Sequence, residues 1–220
     1  MKHALSTHQG PQMDVQKPLI VFDCDYTLWP FDCDKEVIAP FSYMGGGIVD
    51  VWSRPANPYP EVRAVFQYII EHNMSFAIAS RNPSADSIAQ LLACIIPVDG
   101  DKSIWSMLPA GCFHAYSSGT AKAKTAHFKR ISQATGRPLS DMVFFDDLPE
   151  NVQVASSQGV TCVLLGQRTG LTMAAFKCGL EAWSLAKSNQ KIEVGTTVKE
   201  SPNEVQVSVS KGQDGSGADV

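Results

Sequence analysis

The sequence predicts an α/β protein in which helices cover a parallel β-sheet in three layers. Three observations support this class. Short apolar runs typical of buried strands alternate with segments of helical periodicity. Acidic or hydroxyl residues directly follow several of these runs, as at the carboxyl ends of parallel strands. The 220 residues are 44% hydrophobic with a formal net charge of −4, which suits one folded domain and excludes a chain that is disordered throughout.

Local patterns predict each element in the first half of the chain. Leu19–Phe22 is a continuous apolar run, as expected for a strand buried on both faces. Prolines and three successive glycines within residues 29–58 predict a hairpin-like flap. Apolar side chains at helical spacing predict a helix over residues 60–73. Residues 75–79 form a predicted strand, and Pro83 suits the first turn of a helix that ends near residue 94.

The second half repeats the alternation of strands and helices. Its apolar runs predict strands over residues 112–116, 142–145 and 161–165. Helical periodicity, with flanking glycine and proline residues, predicts helices over residues 120–135, 149–158 and 171–187. Residues 1–17 and 188–220 are polar and lack periodicity, so we expect two disordered tails around one domain of residues 18–187.

The composition argues against several classes of function. No apolar run approaches the roughly 20 residues that a membrane-spanning helix needs. The first residues lack the apolar stretch of a signal peptide, so we expect a cytoplasmic protein. The six cysteines form no C-x-x-C pair, which argues against a zinc cluster or a redox dithiol. Because the chain is slightly acidic and has no large Lys/Arg block, we expect no nucleic-acid or membrane partner. We also expect a monomer, although no sequence pattern determines the oligomeric state.

Three predicted strands end in side chains that can carry chemistry. They are Asp23 and Asp25, Ser80 and Arg81, and Asp146 and Asp147. Because ligands bind at the carboxyl ends of parallel strands, we expect these side chains to converge on one crevice. Four carboxylates in a partly desolvated crevice repel one another, and Mg²⁺ held by oxygen ligands relieves that repulsion. A cation beside Lys, Arg and hydroxyl groups makes an anion site, and the anion we expect is a phosphoryl group.

Each residue type in this crevice suggests a role in phosphoryl transfer. Asp23 can act as a nucleophile and form an aspartyl-phosphate. Asp25 can protonate the leaving oxygen and then deprotonate the water that hydrolyses the intermediate. We expect Ser80 and the backbone amide of Cys24 to contact phosphoryl oxygens, and Lys124 to neutralise the charge that develops on them.

Residues 23–28 read D-C-D-Y-T-L, which resembles the D-x-D-x-T-L opening motif of the haloacid dehalogenase superfamily. Ser80, Lys124 and the pair Asp146-Asp147 occur in the order of its second, third and fourth motifs. Four segments also closely resemble the magnesium-dependent phosphatase family, and the similarity covers about residues 18–187. The four segments are residues 21–31, 59–62, 79–81 and 142–147.

The resemblance implies a Rossmann-like, three-layer parallel sheet of the haloacid dehalogenase type. A small flap at about residues 29–58 would replace a large cap domain. The implied activity is Mg²⁺-dependent hydrolysis of phosphomonoesters through an aspartyl-phosphate. The implied partner is a phosphorylated small molecule, such as a sugar phosphate, or a protein that carries phosphotyrosine.

The resemblance also implies a role for each site residue. Asp23 would be both nucleophile and metal ligand. Asp25 would be the acid/base and would bind the metal through its main-chain carbonyl. Asp147 would supply the further metal carboxylate. The residues implied to bind phosphate are Ser80, Arg81 and Lys124.

Three points stay open from the sequence. Lys122 competes with Lys124 as the catalytic lysine. Adjacent side chains diverge, so we expect Asp146 to lie behind the direct metal ligands. A non-catalytic phosphate-binding or receiver-like regulatory domain is the alternative to an enzyme. A receiver would carry its acidic pair at the first strand and its phosphoacceptor later, whereas here Asp23 comes first and Asp25 favours turnover.

Overall fold

The computed structural model describes residues 17–117, 119–192 and 207–208. The strands, in chain order, are β1 (Leu19–Phe22), β2 (Ser42–Met44), β3 (Gly47–Val49), β4 (Ser75–Ser80), β5 (Phe113–Ala115), β6 (Met142–Asp146), β7 (Thr161–Leu164) and β8 (Val207–Ser208). The helices are α1 (Val62–Glu71), α2 (Ala85–Cys94), α3 (Ile104–Met107), α4 (Ala123–Thr135), α5 (Pro149–Ser156) and α6 (Met173–Ile192). The predicted N-terminal tail, apart from Lys17, lies outside the described residues, as does most of the predicted C-terminal tail.

The central sheet confirms the predicted α/β class. Its strand order is β5-β4-β1-β6-β7-β8, in which the first five strands run parallel and β8 runs antiparallel to β7. Phe22 of β1 lies opposite Ile78 of β4 and Phe145 of β6. The three neighbouring strands therefore end at nearly the same level, and the residues that follow them meet at one edge of the sheet.

Helices cover both faces of the sheet and give the predicted three layers. Ile20 and Phe22 belong to a buried apolar core with side chains of α1, α2 and α6. Leu19 and Val21 belong to a second core with side chains of α4 and α5. This alternation follows from the two-residue period of a strand whose faces are both covered. No helix within the described ranges is long and apolar enough to span a membrane.

The segment between β1 and α1 forms the predicted small flap. β2 and β3 pair as an antiparallel hairpin. Gly45 and Gly46 have φ values of +60° and +87° at its turn, a conformation that glycine adopts without strain. The Asp50 carboxylate accepts hydrogen bonds from the backbone amides of Ile38, Trp52 and Arg54 and so holds together the chain on both sides of the hairpin. The described residues include this hairpin and no large cap domain.

Three features differ from the prediction. α2 begins at Ala85, two residues later than predicted, because Asn82 Oδ1 accepts the Ser84 amide in a turn that precedes the helix. α6 continues to Ile192, five residues past the predicted end, and residues 188–192 contain no glycine or proline that would stop it. The predicted tail also contains β8, Val207–Ser208, which pairs with β7. Residues 188–192 therefore belong to α6, and the disorder expected for the remaining residues stays a prediction.

Candidate active site

Lys124 lies at the buried end of the site. It is the second residue of α4, and its side chain is fully buried. Its Nζ lies 2.6 Å from Asp23 Oδ1 and 2.9 Å from Asp146 Oδ2, and it also donates to the carbonyl of Ala79. Lys122 is exposed at the residue before the helix. The structure thus places Lys124, rather than Lys122, against the carboxylates.

Three carboxylates form a compact group at the ends of β1 and β6. One oxygen from each of Asp23, Asp146 and Asp147 lies within 4.8 Å of the others. Asp146 is held by the Leu148 amide at 2.8 Å and by Asn151 Nδ2, at 3.0 Å from each carboxylate oxygen. Oxygen donors of this kind suit a hard divalent cation. The Asp146 carboxylate thus belongs to this group, although we expected it to lie behind Asp23 and Asp147.

A loop after β7 holds Asp147. Gln167 Nε2 donates to Asp147 Oδ2 at 2.7 Å, and the Gln167 carbonyl accepts a hydrogen bond from the Tyr59 hydroxyl. Gly170 closes this loop with a φ of +55°. A Cβ atom there would lie 2.0 Å from the Tyr59 ring, so only glycine allows this approach. The end of the flap therefore fixes the loop that orients a carboxylate of the site.

The charges of this group do not balance. Burial raises the pKa of Asp23 well above its usual range, although the Lys124 ammonium opposes the effect and the Asp146 charge reinforces it. Burial alone would lower the pKa of Lys124, but the charges of Asp146 and Asp23 raise it, so Lys124 stays charged. Burial raises the pKa of Asp147 to about 6. One ammonium faces three carboxylates, and a divalent cation would relieve the excess negative charge.

Asp25 lies outside the three-carboxylate group and has a different environment. Its Oδ1 accepts hydrogen bonds from Trp29 Nε1 at 2.7 Å and from the Cys33 amide at 3.1 Å. Its Oδ2 accepts one from Asn82 Nδ2 at 2.6 Å. Burial raises the pKa of Asp25, while the Asn82 and Trp29 hydrogen bonds act against this. Its contact with a metal through the main-chain carbonyl stays a prediction.

Ser80 and Arg81 lie on the other side of the site, at the end of β4. Ser80 is buried, and its Oγ accepts the Asn82 amide at 3.1 Å. Arg81 Nη1 donates to Asn151 Oδ1 at 2.8 Å and lies 3.5 Å from Glu150 Oε1. The Arg81 Nε atom is buried and, among the described residues, has no hydrogen-bond partner. The guanidinium is therefore anchored to α5 and keeps donor capacity for an anion.

Cys24 closes the turn that follows β1. Its carbonyl accepts the amides of Thr27 at 3.1 Å and Leu28 at 2.7 Å. This turn brings Asp23 and Asp25 to the same cavity. Burial raises the pKa of the Cys24 thiol, so the side chain stays neutral. The predicted contact between its amide and a phosphate stays a prediction.

These side chains line one open cavity of about 490 Å³. Its lining includes predicted site residues from the ends of all three strands and residues of the flap. The predicted site residues in the lining are Asp23, Asp25, Ser80, Arg81 and Asp147, and the flap adds Asp32, Asp34 and Lys35. Lys124 lies beneath this cavity through its contact with Asp23.

The sequence reasoning missed three carboxamides of the site. Asn82, Asn151 and Gln167 each donate a hydrogen bond to one of its aspartates. Asn82 and Gln167 closely follow strands β4 and β7, so extending the strand-end argument by a few residues would have found them. Asn151 lies in the first turn of α5, five residues after Asp146, where sequence alone indicates only a solvated helix end.

Comparison with known proteins decides the family. The family model described as "Acid Phosphatase" matches residues 16–186. The chain belongs to this family. The match covers the five parallel strands, helices α1 to α5, most of α6 and every site residue described above. The family resemblance read from the motifs is confirmed, and the family is one of phosphatases.

Two relatives of this chain agree with the match to the acid phosphatase family. Human "Magnesium-dependent phosphatase 1" is 32% identical over 187 residues, which cover 84% of this chain and 96% of the relative. The "HAD-like hydrolase superfamily protein P8B7.31" of Schizosaccharomyces pombe is 31% identical over 161 residues, covering 71% and 90% of the two chains. A crystal structure of the N-terminal part of BF1531 from Bacteroides fragilis, containing a phosphatase domain complexed with Mg, aligns with a TM-score of 0.48. That alignment has 15% identity and covers 76% of this chain and 40% of that chain.

Proposed function

We propose that the protein is a Mg²⁺-dependent phosphomonoester hydrolase that works through an aspartyl-phosphate on Asp23. One observation carries the proposal. The Asp23 carboxylate ends β1 beside the Lys124 ammonium, and Asp25 faces the same cavity two residues later. A carboxylate nucleophile and a separate acid/base are the two groups that such a double displacement needs.

The residues present fit a magnesium ion. The carboxylates of Asp23, Asp146 and Asp147 supply oxygen donors within 4.8 Å of one another, and their surplus negative charge calls for a cation. Asp23 and Asp147, with the main-chain carbonyl of Asp25, are the proposed ligands, and Asp146 supports them. When bound, Mg²⁺ would offset negative charge on the phosphoryl oxygens and on the attacking carboxylate.

The protein residues then divide the reaction into two displacements. In the first, an Asp23 oxygen forms a bond to phosphorus, the bond from phosphorus to the ester oxygen breaks, and the Asp25 carboxyl gives its proton to the leaving oxygen. In the second, Asp25 removes a proton from a water whose oxygen attacks phosphorus, which releases inorganic phosphate and restores Asp23. The contact at 2.6 Å with Lys124 fixes the rotation of the Asp23 carboxylate throughout.

The transferred group carries negative charge, and cationic or donor groups surround its proposed position. Arg81, Ser80 and the Cys24 amide would donate to its oxygens. Lys124 supplies a positive charge directly behind the nucleophile. Because these groups are already held by hydrogen bonds within the protein, they need little rearrangement when substrate binds.

Phosphotyrosine and sugar phosphates are the proposed substrates, and the cavity favours the sugar phosphates. Among the residues that the structure shows lining it, Tyr26 is the one aromatic side chain, and acidic, amide and hydroxyl side chains predominate. Polar groups of this kind hydrogen-bond a polyhydroxyl leaving group, whereas a tyrosine ring binds best in an apolar slot.

Release of inorganic phosphate from a small panel of esters tests the proposal. The panel contains an aryl phosphate, a phosphotyrosine peptide and several sugar phosphates, each with Mg²⁺ or with EDTA. We expect release that requires Mg²⁺, is absent from Asp23→Asn and is fastest with a sugar phosphate. Release that persists in EDTA or in Asp23→Asn would contradict the mechanism. A wild-type protein that binds phosphate but releases none would indicate the non-catalytic regulatory alternative.

A further inference from the structure

Asn82 links the proposed acid to the rest of the site. Its side chain is buried between the end of β4 and the flap. Its Nδ2 donates to Asp25 Oδ2 at 2.6 Å and to Asp32 Oδ1 at 3.1 Å. Its Oδ1 accepts the Ser84 amide at 2.8 Å, and its own amide donates to Ser80 Oγ at 3.1 Å. One residue thus contacts the first motif and the flap through its carboxamide and the second motif through its backbone amide.

The hydrogen bonds define which way this carboxamide points. The Ser84 backbone amide can only donate, so the atom facing it must be the Asn82 oxygen. The Asn82 nitrogen then faces the carboxylates of Asp25 and Asp32, which can accept. The reverse orientation would place an oxygen against two carboxylates and a nitrogen against a donor, so it is excluded.

The same contacts determine which oxygen of Asp25 can carry a proton. Oδ1 already accepts two hydrogen bonds, from Trp29 and from the Cys33 amide, and therefore uses both of its lone pairs. Oδ2 accepts one hydrogen bond, from Asn82, among the described residues. A carboxyl hydroxyl oxygen can accept one hydrogen bond while it carries its proton, so Oδ2 is the oxygen left for that role.

We propose that Asn82 is a positioning residue that places the transferable proton on Asp25 Oδ2 and aims it at the leaving oxygen of the substrate. This inference rests on the proposed function, since it concerns the acid of that reaction. Both side chains line the cavity, so an oxygen held by Asn82 stays at the cavity wall. Without Asn82, only the two hydrogen bonds at Oδ1 would hold the carboxyl group, and a rotation that weakens them would also carry Oδ2 away from the cavity wall.

The dependence of kcat/KM on the leaving group tests this role. kcat/KM covers the steps up to the first irreversible one, which is cleavage of the ester bond. A poor alkoxide leaving group needs a proton from the acid, whereas 4-nitrophenolate leaves without one. For Asn82→Ala we expect kcat/KM to fall about 10- to 100-fold with an alkyl phosphate and less than about threefold with 4-nitrophenyl phosphate.

Three further variants make the result specific. Asn82→Asp is isosteric and keeps the contact with the Ser84 amide but loses both donors. We therefore expect kcat/KM to fall again for the alkyl phosphate in particular. This variant tests the role even if Asn82→Ala folds poorly. In an Asp25→Asn background, Asn82→Ala should cause no additional loss, because the two residues act as one unit. Ser84→Ala lies in the same loop and keeps its backbone amide, so wild-type kinetics are expected.

Each outcome separates this inference from the proposed function. Equal losses with both leaving groups, or additive losses in the double variant, would assign Asn82 a merely structural role and overturn the inference. Unchanged kcat/KM in both Asn82 variants would overturn it as well. Failure of the proposed function is seen in the wild-type protein alone, as absence of phosphate release from either ester.

Discussion

The cavity has two sides with opposite chemistry. The floor consists of Asp23, Lys124, Asp146 and Asp147, and the rim consists of Asp25, Asn82 and Asp32. On the floor, buried carboxylates are held by one ammonium and carry excess negative charge. On the rim, neutral donors hold a carboxylate that burial makes a weaker acid. The comparison teaches that two aspartates of one D-x-D motif have different environments because their neighbours differ.

Substitution of Asp23, the proposed nucleophile, should have the largest effect. Asp23→Asn keeps the size and the hydrogen-bonding shape of the side chain, but an amide does not attack phosphorus. We expect phosphate release to fall by at least about 10³-fold. A phosphate-release assay measures this loss. Asp34→Asn, at an exposed carboxylate that lines the same cavity, should retain activity within about threefold. A retained rate in Asp23→Asn would show that another floor residue is the nucleophile.

Removal of the Lys124 ammonium from the floor should lower both the free energy of unfolding and the rate of phosphate release. Lys124→Met leaves the buried carboxylates of Asp23 and Asp146 without their ammonium. We expect a loss of about 3–5 kcal/mol in the free energy of unfolding when metal is removed. Urea unfolding in EDTA measures it. The matched variant Lys122→Met, at an exposed position, should change the free energy by less than about 0.5 kcal/mol. Equal effects of the two variants would show that Lys124 does not stabilise the buried carboxylates as proposed.

In the metal-free protein, the excess negative charge of the floor should make the free energy of unfolding depend on pH. Asp147 has a pKa of about 6 in the metal-free folded protein and an ordinary value of 3.8. The folded state therefore binds more protons than the unfolded state between these values, and the metal-free protein loses stability as pH rises through this window. Asp147→Asn should weaken that loss and make the metal-free protein more stable at pH 7.5.

With added Mg²⁺, the wild-type protein should instead be more stable than Asp147→Asn. The wild-type protein gains stability when a cation binds only to the folded state, and Asp147→Asn should gain less. Urea unfolding between pH 5 and pH 8, with EDTA or with Mg²⁺, measures both effects. An identical pH dependence in the wild-type protein and the variant would show that Asp147 does not contribute to the charge of the floor.

The floor was more predictable from sequence than the rim. Strand-end aspartates stand out because a continuous apolar run stops directly at Asp23 and at Asp146. The choice of Lys124 over Lys122 could also have been made from the sequence. Lys124 precedes Phe128 and Ile131 by four and seven residues, so it shares their buried face of α4, whereas Lys122 precedes the helix. Local sequence patterns alone gave no reason to apply this spacing to a charged residue.

The rim depends on contacts between residues that are far apart in the chain. Asn82 and Asp25 are separated by 57 positions, and Asp32 joins them from the flap. An asparagine before a helix is ordinarily interpreted as a turn former, and Asn82 does form that turn with Ser84. Its contact with Asp32 requires the flap to fold back over the end of β4, and local sequence patterns do not specify such a tertiary approach.

The smallest expected effect lies at the outer edge of the rim. Lys35 Nζ lies 2.5 Å from Asp32 Oδ2, but the Lys35 side chain is 75% exposed and the solvent screens the pair. For Lys35→Met we expect no resolvable shift of the urea midpoint and less than about a threefold change in kcat/KM for alkyl and aryl phosphates. Asn82 would still hold Asp32 and Asp25. A selective loss with the alkyl ester as large as that of Asn82→Ala would mean that the surface charge pair, rather than the buried carboxamide, organises the rim.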